Sequence, residues 1–137
     1  MPYLRATLAE GLALSGDLDG GLSLIEESLT QIARPGWEER SHLAEVLRLK
    51  GWMQQQQGKL DAAEDSYRAS LDVGREQQAK SWELRTSTSL ARLWQSQGKR
   101  KEAHDLLAPV YNWFTEGFDT KDLKEAKSLL LELGMTA

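Results

Sequence analysis

Two histidines and three pairs of adjacent carboxylates are the side chains that could take part in acid–base chemistry or bind a metal ion. His42 and His104 each stand alone in the sequence. The carboxylate pairs are Glu26-Glu27, Glu38-Glu39 and Glu64-Asp65. Neighbouring residues of a helix point about 100° apart, so these pairs are typical of a solvated helix face. We therefore expect ordinary helical positions for both histidines and no metal site.

Motifs of known active sites are absent as well. The chain has no G-x4-G-K-[ST] phosphate loop, no G-x-G-x-x-G, no H-E-x-x-H and no G-x-S-x-G. It has no cysteine, which excludes disulfides and cysteine-based metal sites and fits a reducing compartment. We therefore expect no enzymatic activity, no catalytic residue and no cofactor.

Composition limits the class of protein and of partner. The 137 residues are 40% hydrophobic and 28% charged, which suits one domain, and the net charge is -4. Nucleic-acid binding requires a clustered basic surface, and the one short basic run, Lys99-Arg100-Lys101, is typical of a solvated turn between helices. No apolar run approaches the roughly 18 residues of a membrane span, and no signal pattern begins the chain. The sequence predicts a cytoplasmic protein without nucleic-acid or membrane partners.

Strong helix formers dominate the chain, and their periodicity predicts seven helices. We expect the first two at about Tyr3 to Ser15 and from just after Asp17 or Asp19 to the break at Pro35-Gly36. The next three are expected at about Trp37 to Gln57, from an Asp61 N-cap to near Gln77, and from a Ser81 N-cap to before Gly98. The last two are expected at about Lys101 to Glu116 and from near Asp119-Thr120 to Leu133. Pro109 lies inside the sixth helix, where it predicts a kink or a stop at Ala108.

Three segments of the chain align without gaps and indicate an internal repeat. They are SGDLDGGLSLIEESL (15–29), QGKLDAAEDSYRASL (57–71) and QGKRKEAHDLLAPVY (97–111). Their anchoring glycines, Gly16, Gly58 and Gly98, are 42 and 40 residues apart. A small residue follows each glycine after five positions, and a bulky residue four positions later: Gly21 and Ile25, Ala63 and Tyr67, Ala103 and Leu107. Gly is suited to end each first helix because it accepts a left-handed backbone.

The pattern resembles the tetratricopeptide (TPR) repeat, which has W-x2-L-G-x2-Y in its first helix. The small residue of that motif is present as Ala9, Gly51 and Ala91, whereas Lys50 replaces the usual Leu and Gln54 the usual aromatic residue. The resemblance implies an all-α, TPR-like right-handed α-solenoid of three antiparallel helix pairs plus a C-terminal capping helix. It implies a single domain, 1–137, with repeats at about 2–34, 37–78 and 81–117 and the last helix at about 119–134.

A TPR stack turns one face of each first helix toward a concave groove, and this register gives the candidate binding residues. They are Arg48, Trp52, Gln55, Gln56, Arg85, Ser89, Arg92 and Gln95. Trp52 is suited to an interaction hot spot, and the arginines could hold carboxylates in fork geometry. Alternatively, Trp52 packs against the next repeat and the arginines pair with Glu45 or Glu83. The other aromatic residues are expected in the core between repeats: Tyr67, Trp82, Trp94, Tyr111, Trp113 and Phe114.

A narrower resemblance covers residues 79–133 and LRLKG at 47–51. Trp82-Glu83-Leu84-Arg85 and the stretch from Trp113 to Asp119 are similar to the C-terminal TPR tail of bacterial signalling proteins with class III adenylate or guanylate cyclase and ATPase modules. No cyclase or ATPase motif is present here. The resemblance implies a protein- or peptide-binding regulatory or sensor tail. The alternatives are a structural spacer, a homodimerisation element that uses the terminal helices, and a small-molecule sensor.

Overall fold

The computed structural model describes residues 2–33, 43–117 and 120–134, with the side chains of 8–30, 43–117 and 120–134. Within these ranges every regular element is an α-helix, as the predicted all-α, TPR-like class requires. The helices are α1 (Pro2–Leu14), α2 (Leu18–Ala33), α3 (Leu43–Gln56), α4 (Leu60–Glu76), α5 (Lys80–Ser96), α6 (Arg100–Trp113) and α7 (Lys121–Glu132). None of these described helices is long and apolar enough to cross a membrane. The predicted helix start near Trp37 and the residue Asp119 lie outside the described residues.

Three turns with the same geometry join α1 to α2, α3 to α4 and α5 to α6. Gly16, Gly58 and Gly98 have φ angles of 104°, 79° and 80°, which non-glycine residues rarely adopt. The residue after each glycine donates its N–H to the carbonyl five positions back, at 2.8 to 3.0 Å. This bond satisfies a carbonyl that the end of the helix would otherwise leave unpaired. The prediction that glycine ends each first helix is confirmed.

Small residues let the two helices of a hairpin approach closely. A Cβ added to Gly21 would lie 2.7 Å from the carbonyl oxygen of Ala9, and one added to Gly51 would lie 2.8 Å from the Tyr67 ring. The alanines at the corresponding positions are fully buried: Ala9, Ala63, Ala91 and Ala103. The small positions of the repeat are therefore small because a larger side chain would separate the helices.

The chain divides into two compact units, Met1–Val73 (unit 1) and Gly74–Ala137 (unit 2). In unit 1, α3 packs on α1 and on α2. Its core contains Ala9, Ile25, Val46, Leu49 and Met53. The Ser70 hydroxyl donates to the Ala44 carbonyl at 2.6 Å, which joins α4 to the start of α3. The single domain and the repeat boundaries inferred from the sequence stay predictions.

Unit 2 is built around the hairpin of α5 and α6, and α7 packs against both helices. One apolar stripe of α7 is buried there: Leu123, Ala126, Leu129 and Leu133, with Leu130 partly buried beside them. Leu84, Ala91 and Leu107 provide the matching surface of the hairpin. The helix begins at Lys121, just after the predicted start at Asp119-Thr120, and Thr120 is its N-cap with an extended backbone.

Two predicted helix caps are wrong. Asp17 does cap α2, because its carboxylate accepts the Gly20 N–H at 3.0 Å. Helix α4, however, begins at Leu60, which places Asp61 in the first turn instead of at the cap. Helix α5 begins at Lys80 with Ala79 as its N-cap, so Ser81 is already helical. The early start of α5 follows from a tight turn at Gln78, where the Ala79 N–H donates to the Gly74 carbonyl at 2.8 Å.

Helix α6 also differs from its prediction. It continues through Pro109 from Arg100 to Trp113, so the alternative of a stop at Ala108 is wrong. It ends three residues before the predicted Glu116, because the backbone of Phe114 becomes extended, with φ -76° and ψ 139°. Trp113 is therefore the last residue of the helix, and Phe114 is its C-cap.

Candidate binding faces of the first helices

The eight candidate residues form two rows, one on each of two helices. The row on α3, in unit 1, is Arg48, Trp52, Gln55 and Gln56, and the row on α5, in unit 2, is Arg85, Ser89, Arg92 and Gln95. Each row follows helical spacing, so its members share one face of their helix. The partners of the side chains decide which of them is available for binding.

Arg48 is engaged within its own helix. Its Nε lies 2.6 Å from Oε1 of Glu45, and its Nη2 lies 3.0 Å from Oε2 of the same carboxylate. Both side chains are largely buried, with 15% and 8% of their surface exposed. Glu45 is one of the two partners that the sequence offered as the alternative to groove binding. The bidentate geometry is the strong form of this pairing and holds Arg48 in place.

The rest of the α3 row also packs inward, except for one residue. Trp52 is partly buried and packs against the apolar core of unit 1. The Oε1 atom of Gln55 accepts a hydrogen bond from the Tyr67 hydroxyl at 2.9 Å. Burial raises the pKa of this hydroxyl above its ordinary range, and the nearby charge of Arg48 opposes that shift. Gln56 alone is exposed. Three of the four residues of the α3 row are therefore engaged within unit 1, and among them Gln55 connects α3 to α4.

The two departures of the second repeat from the TPR pattern have polar partners in unit 1. Gln54, at the usual aromatic position, accepts a hydrogen bond from the Ser66 hydroxyl at 2.6 Å. Lys50, at the usual Leu position, forms an ion pair with Glu26 at 2.9 Å. Hydrogen bonds and charge pairing thus take the place of apolar contacts at these positions.

On α5, Arg85 connects two helices of unit 2. Its Nη2 lies 3.0 Å from Oδ2 of Asp122 on α7, and its guanidinium carbon lies 5.1 Å from the centre of the Trp82 ring. Glu83, the partner offered by the sequence, instead pairs with Arg75 and Lys80. Arg85 is partly exposed and held from two sides, so its guanidinium has a defined position.

Among the other members of the α5 row, Arg92 carries a charge that is more exposed than that of Arg85. Ser89 donates to the Arg85 carbonyl at 3.2 Å, and Gln95 is partly buried. Arg92 is exposed and forms no ion pair with any residue of the described part of the chain. The α5 row thus combines one fixed and one accessible guanidinium on the same helix face.

The six aromatic residues expected in the core differ in burial. Trp82 is half-buried beside the Arg85 guanidinium. Tyr67 is fully buried, and three others pack partly buried against the core of unit 2: Trp94, Tyr111 and Phe114. Trp113 is 58% exposed, so its predicted core position is wrong. Helix α6 buries Ala103, Leu107 and Val110, and Trp113, in its last turn, lies outside that stripe.

Groups for acid–base or metal chemistry are not brought together in the part of the chain that the structure describes. No cluster of three or more His, Asp or Glu side chains suited to a metal ion occurs there. His104 Nδ1 lies 3.3 Å from Oδ1 of its neighbour Asp105. His42 and the pair Glu38-Glu39 lie outside the described residues.

Comparison with known proteins bears on the first hairpin. No curated protein and no solved structure matches the chain significantly. Residues 2–27 match the family model of the tetratricopeptide repeat. They comprise α1, the turn at Gly16 and the first part of α2, the same helix–turn–helix geometry that recurs at Gly58 and Gly98. The match supports a tetratricopeptide repeat domain in this chain.

Proposed function

We propose that the protein is a protein- or peptide-binding module and that the α5 row is its main recognition face. Tetratricopeptide repeats generally mediate protein–protein interaction. The observation that carries the proposal is the burial pattern of α5. Eight of its residues are buried: Glu83, Leu84, Thr86, Ser87, Thr88, Leu90, Ala91 and Leu93. What stays accessible is a narrow row at helical spacing that includes Arg85, Ser89 and Arg92.

This row suits a carboxylate-bearing partner. Arg92 presents an exposed guanidinium, whose planar fork matches a carboxylate in bidentate geometry. Arg85, about two turns away along α5, is already ordered by Asp122 and Trp82, so little additional entropy is lost when it binds. The α3 row contributes less in this proposal, because Arg48 and Gln55 already have partners in unit 1.

The wider role that we propose is that of a regulatory or sensor tail in a larger bacterial, cytoplasmic signalling protein. Its support is the similarity of residues 79–133 to such tails and the match of residues 2–27 to the tetratricopeptide repeat. In that role, the module would report the presence of a partner to an attached catalytic or DNA-binding domain.

The test is affinity capture from extract of the native cells with the wild-type chain and two charge-reversal variants. Arg92→Glu removes the accessible guanidinium, and Lys101→Glu makes the same change at an exposed residue of α6. We expect one protein to be captured by the wild type and by Lys101→Glu and to be lost with Arg92→Glu. Equal capture by all three baits would refute the α5 row. Trp52 is left unchanged, since its removal would damage the core of unit 1.

Homodimerisation is a second candidate function, favoured by one specific observation. Leu8 and Leu14 on α1 are 59% and 69% exposed, and an interface would remove this apolar surface from water. A dimer would cover them. Light scattering should then show a dimer for the wild type and a monomer for Leu8→Ser/Leu14→Ser, and a monomer in both cases would exclude this use of α1.

A further inference from the structure

A cavity of about 560 Å³ opens in unit 2, where the end of α4, the first turn of α5 and the end of α6 meet. Its walls include Arg75, Lys80, Glu83, Trp113 and Phe114. In the described part of the chain, the residues that line this cavity include none of the four residues of the α5 row. Its volume lies within the range of about 300–1,000 Å³ that is usual for ligand pockets.

One wall of the cavity is an exposed tryptophan held in a fixed position. The Trp113 ring meets the Phe114 ring edge to face, with centroids 5.1 Å apart and an interplanar angle of 85°. The ammonium of Lys80 lies 5.5 Å from the centre of the Trp113 ring. An indole that is ordered by its neighbours and still accessible is a typical anchor for an apolar side chain of a partner.

The charged part of the lining, Arg75, Lys80 and Glu83, has more positive than negative charge. Glu83 is 7% exposed and accepts one hydrogen bond from Arg75 Nε at 3.3 Å and one from Lys80 Nζ at 3.2 Å. Two cations thus share one buried carboxylate. Each cation uses a single donor in this contact, and the two side chains are 51% and 37% exposed. Their remaining N–H groups can bind a second carboxylate supplied from outside.

We propose that this cavity binds an acidic peptide segment in which an aromatic side chain lies next to a carboxylate. The aromatic side chain rests on Trp113, and the carboxylate accepts hydrogen bonds from Arg75 and Lys80. A cationic ligand fits less well, since Lys80 already lies over the Trp113 ring and Glu83 is already paired twice. The site lies apart from the α5 row and goes beyond the function proposed above.

The test is an NMR titration of the ¹⁵N-labelled full chain with the blocked tetrapeptide acetyl-Gly-Phe-Asp-Gly-amide. The control is the same peptide with Asn in place of Asp, which keeps the shape and removes the charge. We expect saturable shifts of the Trp113 indole N–H and of the amides of Lys80 and Glu83. Because a hydrogen bond to a charged group contributes about 1.5–3 kcal/mol, the Asn peptide should bind at least about tenfold more weakly.

Three variants complete the test. Trp113→Ala removes the anchor from an exposed position and should weaken binding at least about tenfold. Leu131→Ala, which truncates another exposed large side chain of unit 2, should leave binding unchanged. Arg75→Gln keeps the Lys80–Glu83 pair and should weaken binding of the Asp peptide severalfold without affecting binding of the Asn peptide. If Trp113→Ala loses its helical circular dichroism, the comparison of the two peptides on Arg75→Gln is the decisive test.

Absence of saturable shifts at the cavity, equal affinity for the two peptides, or undiminished binding by a folded Trp113→Ala would each overturn the proposal. Shifts confined to the surroundings of Arg92 would overturn it as well, while supporting the α5 row. The failure of one site is therefore distinguishable from the failure of the other.

Discussion

The first helices α3 and α5 occupy the same position in their repeats but use their polar residues differently. On α3, the Arg48 guanidinium is bound by Glu45 of the same helix, and Gln55 is bound by Tyr67 of the following helix. On α5, Arg85 reaches Asp122 on α7, and Arg92 remains exposed. One helix uses its polar row to hold its own unit together, and the other keeps part of that row accessible.

The difference follows from the side chains that face each helix. At equivalent positions, Gly51 faces Tyr67 in the second hairpin, and the third hairpin has Ala91 and Leu107. A buried phenol requires a hydrogen-bond partner, and Gln55 supplies it. The third hairpin buries a leucine instead, which has no such requirement. Tyr67 thus engages one residue of the α3 row, while Glu45 engages Arg48.

The largest effect is expected at the contact between Gly51 and Tyr67. Gly51→Ala should destabilise the protein by about 1–3 kcal/mol, because the new methyl group would lie 2.8 Å from the Tyr67 ring. Helix propensity alone would favour alanine by about 0.5–1 kcal/mol, so the sign of the change identifies the contact. Urea unfolding measures it.

Two further variants test whether the size of the facing residue is the cause. Gly51→Ala/Tyr67→Leu copies the pair of the third hairpin and should recover part of the loss. Gly11→Ala, on an open side of α1 where nothing lies within 4 Å of the added methyl group, should not destabilise the protein. A stabilising Gly51→Ala would contradict the close approach of α3 and α4.

The two arginine pairs should differ in their contribution to stability. Arg48→Ala removes the bidentate partner of Glu45, whose side chain is 8% exposed, and should cost about 1–2 kcal/mol. Arg85→Ala affects a pair whose side chains are 36% and 26% exposed, and should cost less than about 1 kcal/mol. Urea unfolding of both variants gives the comparison. A larger cost for Arg85→Ala would reverse our assignment of α3 to stability and α5 to binding.

The protein should lose stability at alkaline pH because the Tyr67 hydroxyl is buried. Burial raises the pKa of its hydroxyl in the folded state, so the folded state holds the proton more tightly than the unfolded chain does. The associated stability is present below the ordinary pKa of 10.0 and is lost as the pH rises above it. Between pH 9 and pH 11, the free energy of unfolding of the wild type should fall by about 1 kcal/mol more than that of Tyr67→Phe. Parallel curves for the two proteins would show that Tyr67 ionises without penalty.

Most of the fold could be predicted from the sequence because its signals are local. The left-handed glycines at Gly16, Gly58 and Gly98 and the apolar periodicity of α7 depend on residues only a few positions apart. The two caps that were wrong depend on the conformation of Gln78 and on the turn before α4, which residue type alone does not determine.

The binding faces were less predictable, because their properties depend on distant residues. Helical spacing places Arg85 and Arg92 on one face, but Asp122 is 37 residues from Arg85 in the sequence. The exposure of Trp113 was not predicted either, because residue type alone does not show that it lies outside the buried stripe of α6. The cavity beside it was therefore missed, although the Trp113-Phe114 pair three residues before Gly117 could have indicated a helix terminus.

The smallest effect concerns the turn between α4 and α5, where unit 2 departs from the three glycine turns. Gln78 has a φ angle of 55°, a left-handed conformation that disfavours a residue with a Cβ by about 1–2 kcal/mol. Gln78→Gly relieves this cost but adds freedom to the unfolded chain, so we expect a net gain of about 0.5 kcal/mol in urea unfolding. Gly98→Ala places a Cβ in the same conformation and should lose about 1 kcal/mol. If Gln78→Gly were destabilising instead, the glutamine side chain would have to stabilise this turn by more than its backbone conformation costs.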